Sequence, residues 1–480
     1  MAAGGKQGQV DCVNLVETFS EIGDPRVAMS HLPEASYEAS GGRESVREAL
    51  TRCCEALGWA ASDRGAFGNV IASGERVVIK PNWVLHANQG TAGLLPLITH
   101  QSVIHAVADE VLKADPSSVI VGDAPIQMCD WDRLVGETGM DEWAAKMQSK
   151  EPRFKGLRDF RRTICEYKDG IRVAREGLRS TDDYVLFNLR EESLLEPITK
   201  KSGEFRVTSY DPRLMAKTHS PKNHQYLIAR EVLDADVIVN VPKLKTHRKA
   251  GISCALKNLV GINGNKEYLP HHRIGGSENG GDCYPGRDPV KRALERLFDL
   301  RNTSTSRRVI RSIQFLEKQL YRALKIKGDR LGVEGAWSGN ETVARMTIDL
   351  NRILLYGRTD GSLSDTVQRR VINIVDAVVA GQGDGPLAND ELPLGMLMAG
   401  SNQVAVDLVG ARLLGYDPTK IPLLKLAFGD YRWKIAGFSR GDVVELNADP
   451  HTELGSHPAP SPRAQHPIGW VDAAMHGRSS

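Results

Sequence analysis

A chain of 480 residues, 41 % hydrophobic and 25 % charged, has the composition of a globular protein with a large core and two or three structural units. Its net charge of +2 supplies no global field for nucleic acid or a membrane surface, and no apolar run reaches the roughly 18–20 residues that cross a bilayer. Seven cysteines, scattered and without a C-x-x-C, argue against a disulfide framework and give no local spacing for zinc or an iron–sulfur cluster.

The N-terminus lacks the apolar stretch of a secretory signal, so a cytoplasmic protein is expected. Residues 10–19, VDCVNLVETF, have strand character, and 42–57 have helical spacing. The run VVIKPNW at 77–83 is a strand that meets Lys80, a ladder-ending proline and Asn82. A glycine-bearing loop, 86–99, leads to an amphipathic helix over 101–114 with Thr99 as its expected N-cap. The strand SVIVGDAP at 118–125 then closes a parallel β-loop-α-β unit and ends at Asp123. The stretch 130–209 is polar and less regular, with short strands expected at 171–174 and 184–188.

A short helix ends near 232, and Val237-Ile238-Val239 is a buried strand. It runs into NVPKLKTHRKAGISCALKNLVGING over 240–264, expected as a loop carrying Lys243, Lys245, His247, Arg248, Lys249, Lys257 and Asn258. Dense cations beyond a buried strand suit a pocket for a small anionic ligand, because ligands of α/β proteins bind at strand ends. Residues 289–327 carry apolar residues at helical spacing with an excess of Arg and Lys, a helical insertion whose basic outer face suits a membrane surface or an acidic partner. Residues 341–356 form a further amphipathic helix. The strand 371–375 reaches Asp376 and a glycine loop, GQGDGP, with Asp384. Strand 395–400 and a helix opened by Asn402-Gln403 and closed by Gly415 follow. A Pro-, His- and Ser-rich tail from 449 is expected to be disordered.

Several side chains are candidates for chemistry. His100 starts a helix, whose positive end favours a neutral imidazole, and cations around His247 have the same effect. These two, with Asp123 and Asp384, are the acid–base candidates. Lys80, Asn82, Lys243, Lys245, Lys257 and Asn258 are the anion-binding candidates, since each lysine offers up to three donors. A divalent metal held by His271 and His272 with Asp123 or Asp384 is a further option; His86 is a lesser candidate.

The set IKPN, TH before a helix, VGDAP, NVPKLKTH, LKNLVGING, GQGDGP and GSNQVAVDLVGARLLGYDP closely resembles the family called domain of unknown function 362, from about residue 75 to 426, interrupted near 289–340. Some members of that family carry a ferredoxin-type cysteine module, which this chain lacks. A looser, fold-level similarity is to the nickel-pincer lactate racemase group. The expected architecture is α/β, with mainly parallel sheet units whose strand-end loops converge on a cleft, divided into 1–74, a core over 75–288 and 346–448, the insertion 289–345 and the tail. The expected function is that of an enzyme acting on a small anionic metabolite. The alternative is a non-catalytic ligand-binding or iron–sulfur-associated redox partner protein.

Overall fold

In the computed structural model, residues 22–32, 37, 42–168, 171–176, 179–449 and 464–474 are described. The apolar runs form the central sheet: β1 (Arg26–His31), β2 (Arg76–Pro81), β3 (Ser118–Asp123), β4 (Phe154–Asp159), β5 (Val237–Val241), β6 (Lys243–His247), β7 (Gly251–Ser253), β8 (Arg370–Asp384), β9 (Ala388–Gly400) and β10 (Val444–Asn447). The main order is β10-β1-β9-β8-β5-β2-β3-β4, with β6 beside β8 and β7 beside β6, ten strands in all. From β8 through β5, β2 and β3 to β4 the pairing is parallel. The hairpin β8–β9 and the pair β9–β1 are antiparallel.

Helices cover both faces: α1 (Gly42–Ala56), α2 (Gln101–Lys113), α3 (Ala255–Asn258), α4 (Pro289–Thr303), α5 (Arg307–Ile326), α6 (Thr342–Tyr356) and α7 (Gln403–Leu413). Successive strand residues point to opposite faces. Val77 and Ile79 of β2, with Val237 and Val239 of β5, therefore pack with the apolar sides of α1 and α2. Val78 and Ile238 belong to the core built with α6 and α7. The result is a three-layer α/β/α arrangement, in which parallel strands buried on both faces read as continuous apolar runs.

One expectation falls outside the described residues and several within them are corrected. The strand expected at 10–19 lies outside the described residues, and the first described strand is β1, joined to the sheet through the far end of the chain. The N-cap of α2 is His100, not Thr99. The Thr99 hydroxyl instead donates to Val241 O and accepts from Asn82 N–H, tying two strand ends together. The basic segment after β5 is not a loop: Lys243–His247 is a strand paired with β7 and β8. The glycine loop likewise lies within β8, which continues to Asp384. Glycines there permit close packing, since a Cβ on Gly381 would sit 2.7 Å from Lys245 Cβ.

The tail also departs from expectation, because residues 464–474 pack on the core. Trp470 is buried and donates through Nε1 to Arg248 O at 2.8 Å. His466 stacks on Tyr416 with centroids 4.1 Å apart. A few large rings outweighed the polar composition around them.

Candidate functional site

The carboxyl ends of β2, β3 and β5 meet at one edge, where Asn240 stands opposite both Lys80 and Asn373. Beyond Val241 the chain turns into β6, whose five residues are all buried although four are polar. The pairing of β6 with β8 shifts register between Lys243, opposite Asp376, and Lys245, opposite Gly381. The chain then returns through β7 into α3. The N–H groups of Ala255 and Leu256 at the start of α3 donate to Asp407 of α7. Burial pushes the Asp407 carboxyl up to about 7.

Asparagines link the sheet to the resulting cleft. Asn240 donates to Asn373 Oδ1 at 2.9 Å and accepts from Asn258 Nδ2 at 2.7 Å. Asn258 in turn accepts from Asn82 Nδ2 at 3.1 Å, and Asn82 accepts from Lys245 Nζ at 2.9 Å. The amides satisfy one another where water is excluded, which fixes their orientation. Beside them Lys80 pairs with Asp123 at 2.7 Å, and the other Asp123 oxygen accepts from Trp83 N–H at 2.7 Å. A Cβ on Gly261 would strike both members of the Lys80–Asp123 pair, so only glycine fits there.

The cleft has a volume of about 620 Å³, the size of a small-metabolite pocket. Lys245, Lys249, Lys257 and Lys266 line it with His247, His271, Asn82 and Asn258. Lys245, Lys249 and Lys266 donate to neutral acceptors: Asn82 and Leu97 O, the Thr208 hydroxyl, and Ala124 O respectively. Lys257 has neither an ion pair nor a side-chain hydrogen bond among the described residues. Burial, then the charges of Lys266, Lys249 and Lys80, push its ammonium down to about 7. Burial also lowers Lys249 and Lys266 to about 8, and holds Lys245 well below its ordinary value. Asp123 offsets part of the charge on Lys245 and Lys266, and Glu334 part of that on Lys249, but none of the four lysines has an ion pair among the described residues. Such clustered cations are costly in a free protein, and a bound anion relieves that cost.

The two cleft histidines carry complementary tautomers. Both are held well below the usual range, by burial first and then by Lys257, so both rings are neutral. His247 Nδ1 accepts the N–H groups of Lys249 and Ala250 at 3.1 and 3.2 Å, which puts its proton on Nε2. His271 Nδ1 lies 2.7 Å from Leu269 O and must donate, which leaves Nε2 with its lone pair. One ring thus offers a donor and the other an acceptor.

Not every candidate reaches the cleft. Asn82, Asp123, Lys245, His247, Lys257, Asn258 and Asp384 line it, with Lys80 just behind. Lys243 and His100 belong elsewhere: Lys243 pairs with Asp376 at 2.6 Å and donates to Tyr37 Oη at 2.8 Å. His100 stacks on the Tyr37 ring with centroids 3.8 Å apart, and its own N–H donates to Asp376. Burial pushes the His100 imidazole down to about 4. His272 pairs across from Arg206 and borders a separate small pocket. His86 accepts from Asp130 N–H, capping a turn. Among the described residues no three His, Cys, Asp or Glu side chains converge as a metal-ligand set. Lys266 and Asn240 were missed as site residues; their place at the two ends of the Lys- and Asn-rich segment 240–266 was their only signal.

A family model described as "Domain of unknown function (DUF362)" matches residues 77–179 and 191–412. The chain is 22 % identical over 397 residues to a thylakoid-associated protein of Synechocystis sp., covering 83 % of this chain and 77 % of that one. A crystal structure of a Thermotoga maritima protein aligns at 10 % identity over 73 % of this chain and 55 % of that chain, with a TM-score of 0.30, too slight a likeness to carry an argument. This chain therefore spans about half of that protein's length.

Proposed function

The chain belongs to the domain of unknown function 362 family, a membership that names no reaction, and we propose from its own residues that it is a cytoplasmic enzyme binding a small, multiply charged anion and moving a proton on it. The observation that carries this reading is the pairing of four lysines lacking carboxylate partners with two neutral histidines of opposite tautomer in one cleft. Lys245, Lys249, Lys257 and Lys266 hold the anion. His271 Nε2 accepts a proton from the bound molecule, and His247 Nε2–H donates to the oxygen on which charge develops. Asp123 orients Lys80 and the backbone at Trp83, because both of its oxygens are engaged there. A metal is not needed for this reading, and the histidine tautomers favour the proton-transfer form of it.

The test uses inorganic phosphate and citrate as probes. Either anion should raise the melting temperature of the wild-type protein, and Lys257→Met and Lys245→Met should abolish most of the rise. Carboxylate and phosphorylated metabolites that bind should exchange a carbon-bound hydrogen in deuterated water, and His271→Asn should stop exchange while retaining binding. If neither probe shifts the melting temperature, or both lysine variants respond like the wild type, the reading fails. Protection of the chain from protease added on the cytoplasmic side of the native host's membranes would overturn the cytoplasmic assignment.

A further inference from the structure

We infer that α5 docks the protein on an anionic lipid surface. Its inner face is already used: Leu324 packs with Leu294, Phe298 and Leu320 in a small core shared with α4, and Ile310 and Ile313 are buried too. The outer face is nevertheless apolar. Phe315 is 63 % exposed and Ile326 87 % exposed, and Val309, Leu316 and the neighbouring Leu300 of α4 are exposed as well. Residues seven apart stand on one line of a helix, so Val309, Leu316 and Ala323 form a stripe at one border of the exposed face, while Phe315 and Ile326 lie about a quarter-turn away at its centre.

Around Phe315 and Ile326 stand Arg308, Arg311, Lys318, Arg322 and Lys325, all exposed, with Phe315 between Arg311 and Lys318 on the same line of the helix. None of these five has an ion pair among the described residues. The one acidic residue of α5, Glu317, points inward to Arg301. The cation excess is therefore local to this helix in a chain whose net charge is only +2.

An apolar ridge flanked by cations matches the interfacial plane of a bilayer, where apolar tips enter the acyl boundary and Lys and Arg reach the headgroup phosphates. An acidic protein would complement the cations but leave the exposed Phe315 and Ile326 without an apolar partner. The helix also adjoins the cleft. Gly332 lies against Tyr321 of α5, and two residues later Glu334 lines the cleft and pairs with Arg248 at 3.1 Å. Docking would bring the cleft toward the membrane plane.

The experiment is co-sedimentation of the full chain with vesicles of phosphatidylcholine alone and of phosphatidylcholine mixed with phosphatidylglycerol. The mixed vesicles should carry the protein down at low salt, and the neutral ones should not. Two sets of changes on the exposed face, Phe315→Ser with Ile326→Ser, and Arg308→Gln with Arg311→Gln and Arg322→Gln, should each weaken partitioning on the order of ten- to a hundred-fold. Both should leave the melting temperature and phosphate binding unchanged. A Phe315→Trp variant provides a readout independent of the multiple changes: its emission should shift to the blue with mixed vesicles only. Equal binding to neutral vesicles, no binding to either, or unchanged partitioning of both variant sets would overturn the proposal. So would binding of polyglutamate in place of the vesicles, which would point to an acidic protein.

Discussion

Replacing Lys257 by methionine separates an anion site from a solvated basic surface. The Lys257 ammonium is depressed to about 7 by burial and by three other lysines, with no carboxylate opposing them. In the free protein it is an electrostatic burden. The unfolded chain holds the proton up to the ordinary lysine value of 10.5. Between about 7 and that value the unfolded state binds more protons, so stability rises with pH across this window. Below about 7 both states are protonated and the penalty is complete. Lys257→Met removes the penalty, so the free variant should be more stable than the wild type at pH 6, by on the order of one to a few kcal/mol. The difference should shrink as pH climbs from 7 toward 10.

Binding should move in the opposite direction. Loss of one charge-assisted hydrogen bond costs about 1.5–3 kcal/mol, or roughly ten- to 150-fold in the phosphate dissociation constant. At pH 8 Lys257 is mostly neutral while Lys249 and Lys266 are near their midpoints, so phosphate should draw protons onto the site, on the order of one per anion. Calorimetry at pH 8 in buffers of different protonation heat measures that uptake, and urea titrations at pH 6 and pH 9 measure the stability gap. A variant that binds phosphate like the wild type, takes up as many protons and is less stable at pH 6 would refute the reasoning.

Further expectations follow from neighbouring residues. Nitrogen-15 NMR of the imidazoles should show His247 and His271 neutral at pH 6.5 with opposite tautomers; a charged ring at that pH would contradict the assignment. Asp407→Asn should be at least as stable as the wild type at pH 8, because the raised carboxyl value makes the wild type lose stability between about pH 4 and 7. Asp407→Leu should lose about 1–3 kcal/mol in urea unfolding through the orphaned α3 N–H groups. Gly261→Ala should destabilise by about 1–3 kcal/mol in the same assay, since its methyl must displace the Lys80–Asp123 pair.

The parallel core was legible because its strands are apolar and each ends abruptly in a polar residue: Lys80, Asp123 and Asn240 mark one edge of the sheet. The segment Lys243–His247 was not, because Lys-Leu-Lys-Thr-His becomes a buried strand only through acceptors supplied from distant parts of the chain, Asp376, Asn82 and Leu97 among them. Periodicity carries no information about such partners. The same register shift explains why Lys243 and Lys245, two residues apart, serve different networks. Thr99 is the cap that composition favours, but its strand-end bond to Val241 leaves the N-cap position to His100. Among the site residues, Lys80, Asn82 and Asp123 beside strand ends were found, whereas Asn240 was passed over at the end of its apolar run and Lys266 arrives from a later turn that only the fold brings near.

The segment 464–474 acts as a strap across the hairpins that frame the cleft. Gly383 N–H donates to Gln465 O at the tip of β8, and Trp470 closes the turn between β6 and β7, where its ring fills the space a Cβ on Gly251 would need. Its residues lie more than 200 positions after the turn they secure. During synthesis the lysines of β6 therefore leave the ribosome long before their supporting wall exists. Acquisition of the binding-competent cleft thus waits until residues 464–474 have been made, and a chain terminated before them would present its cations on an unsupported hairpin.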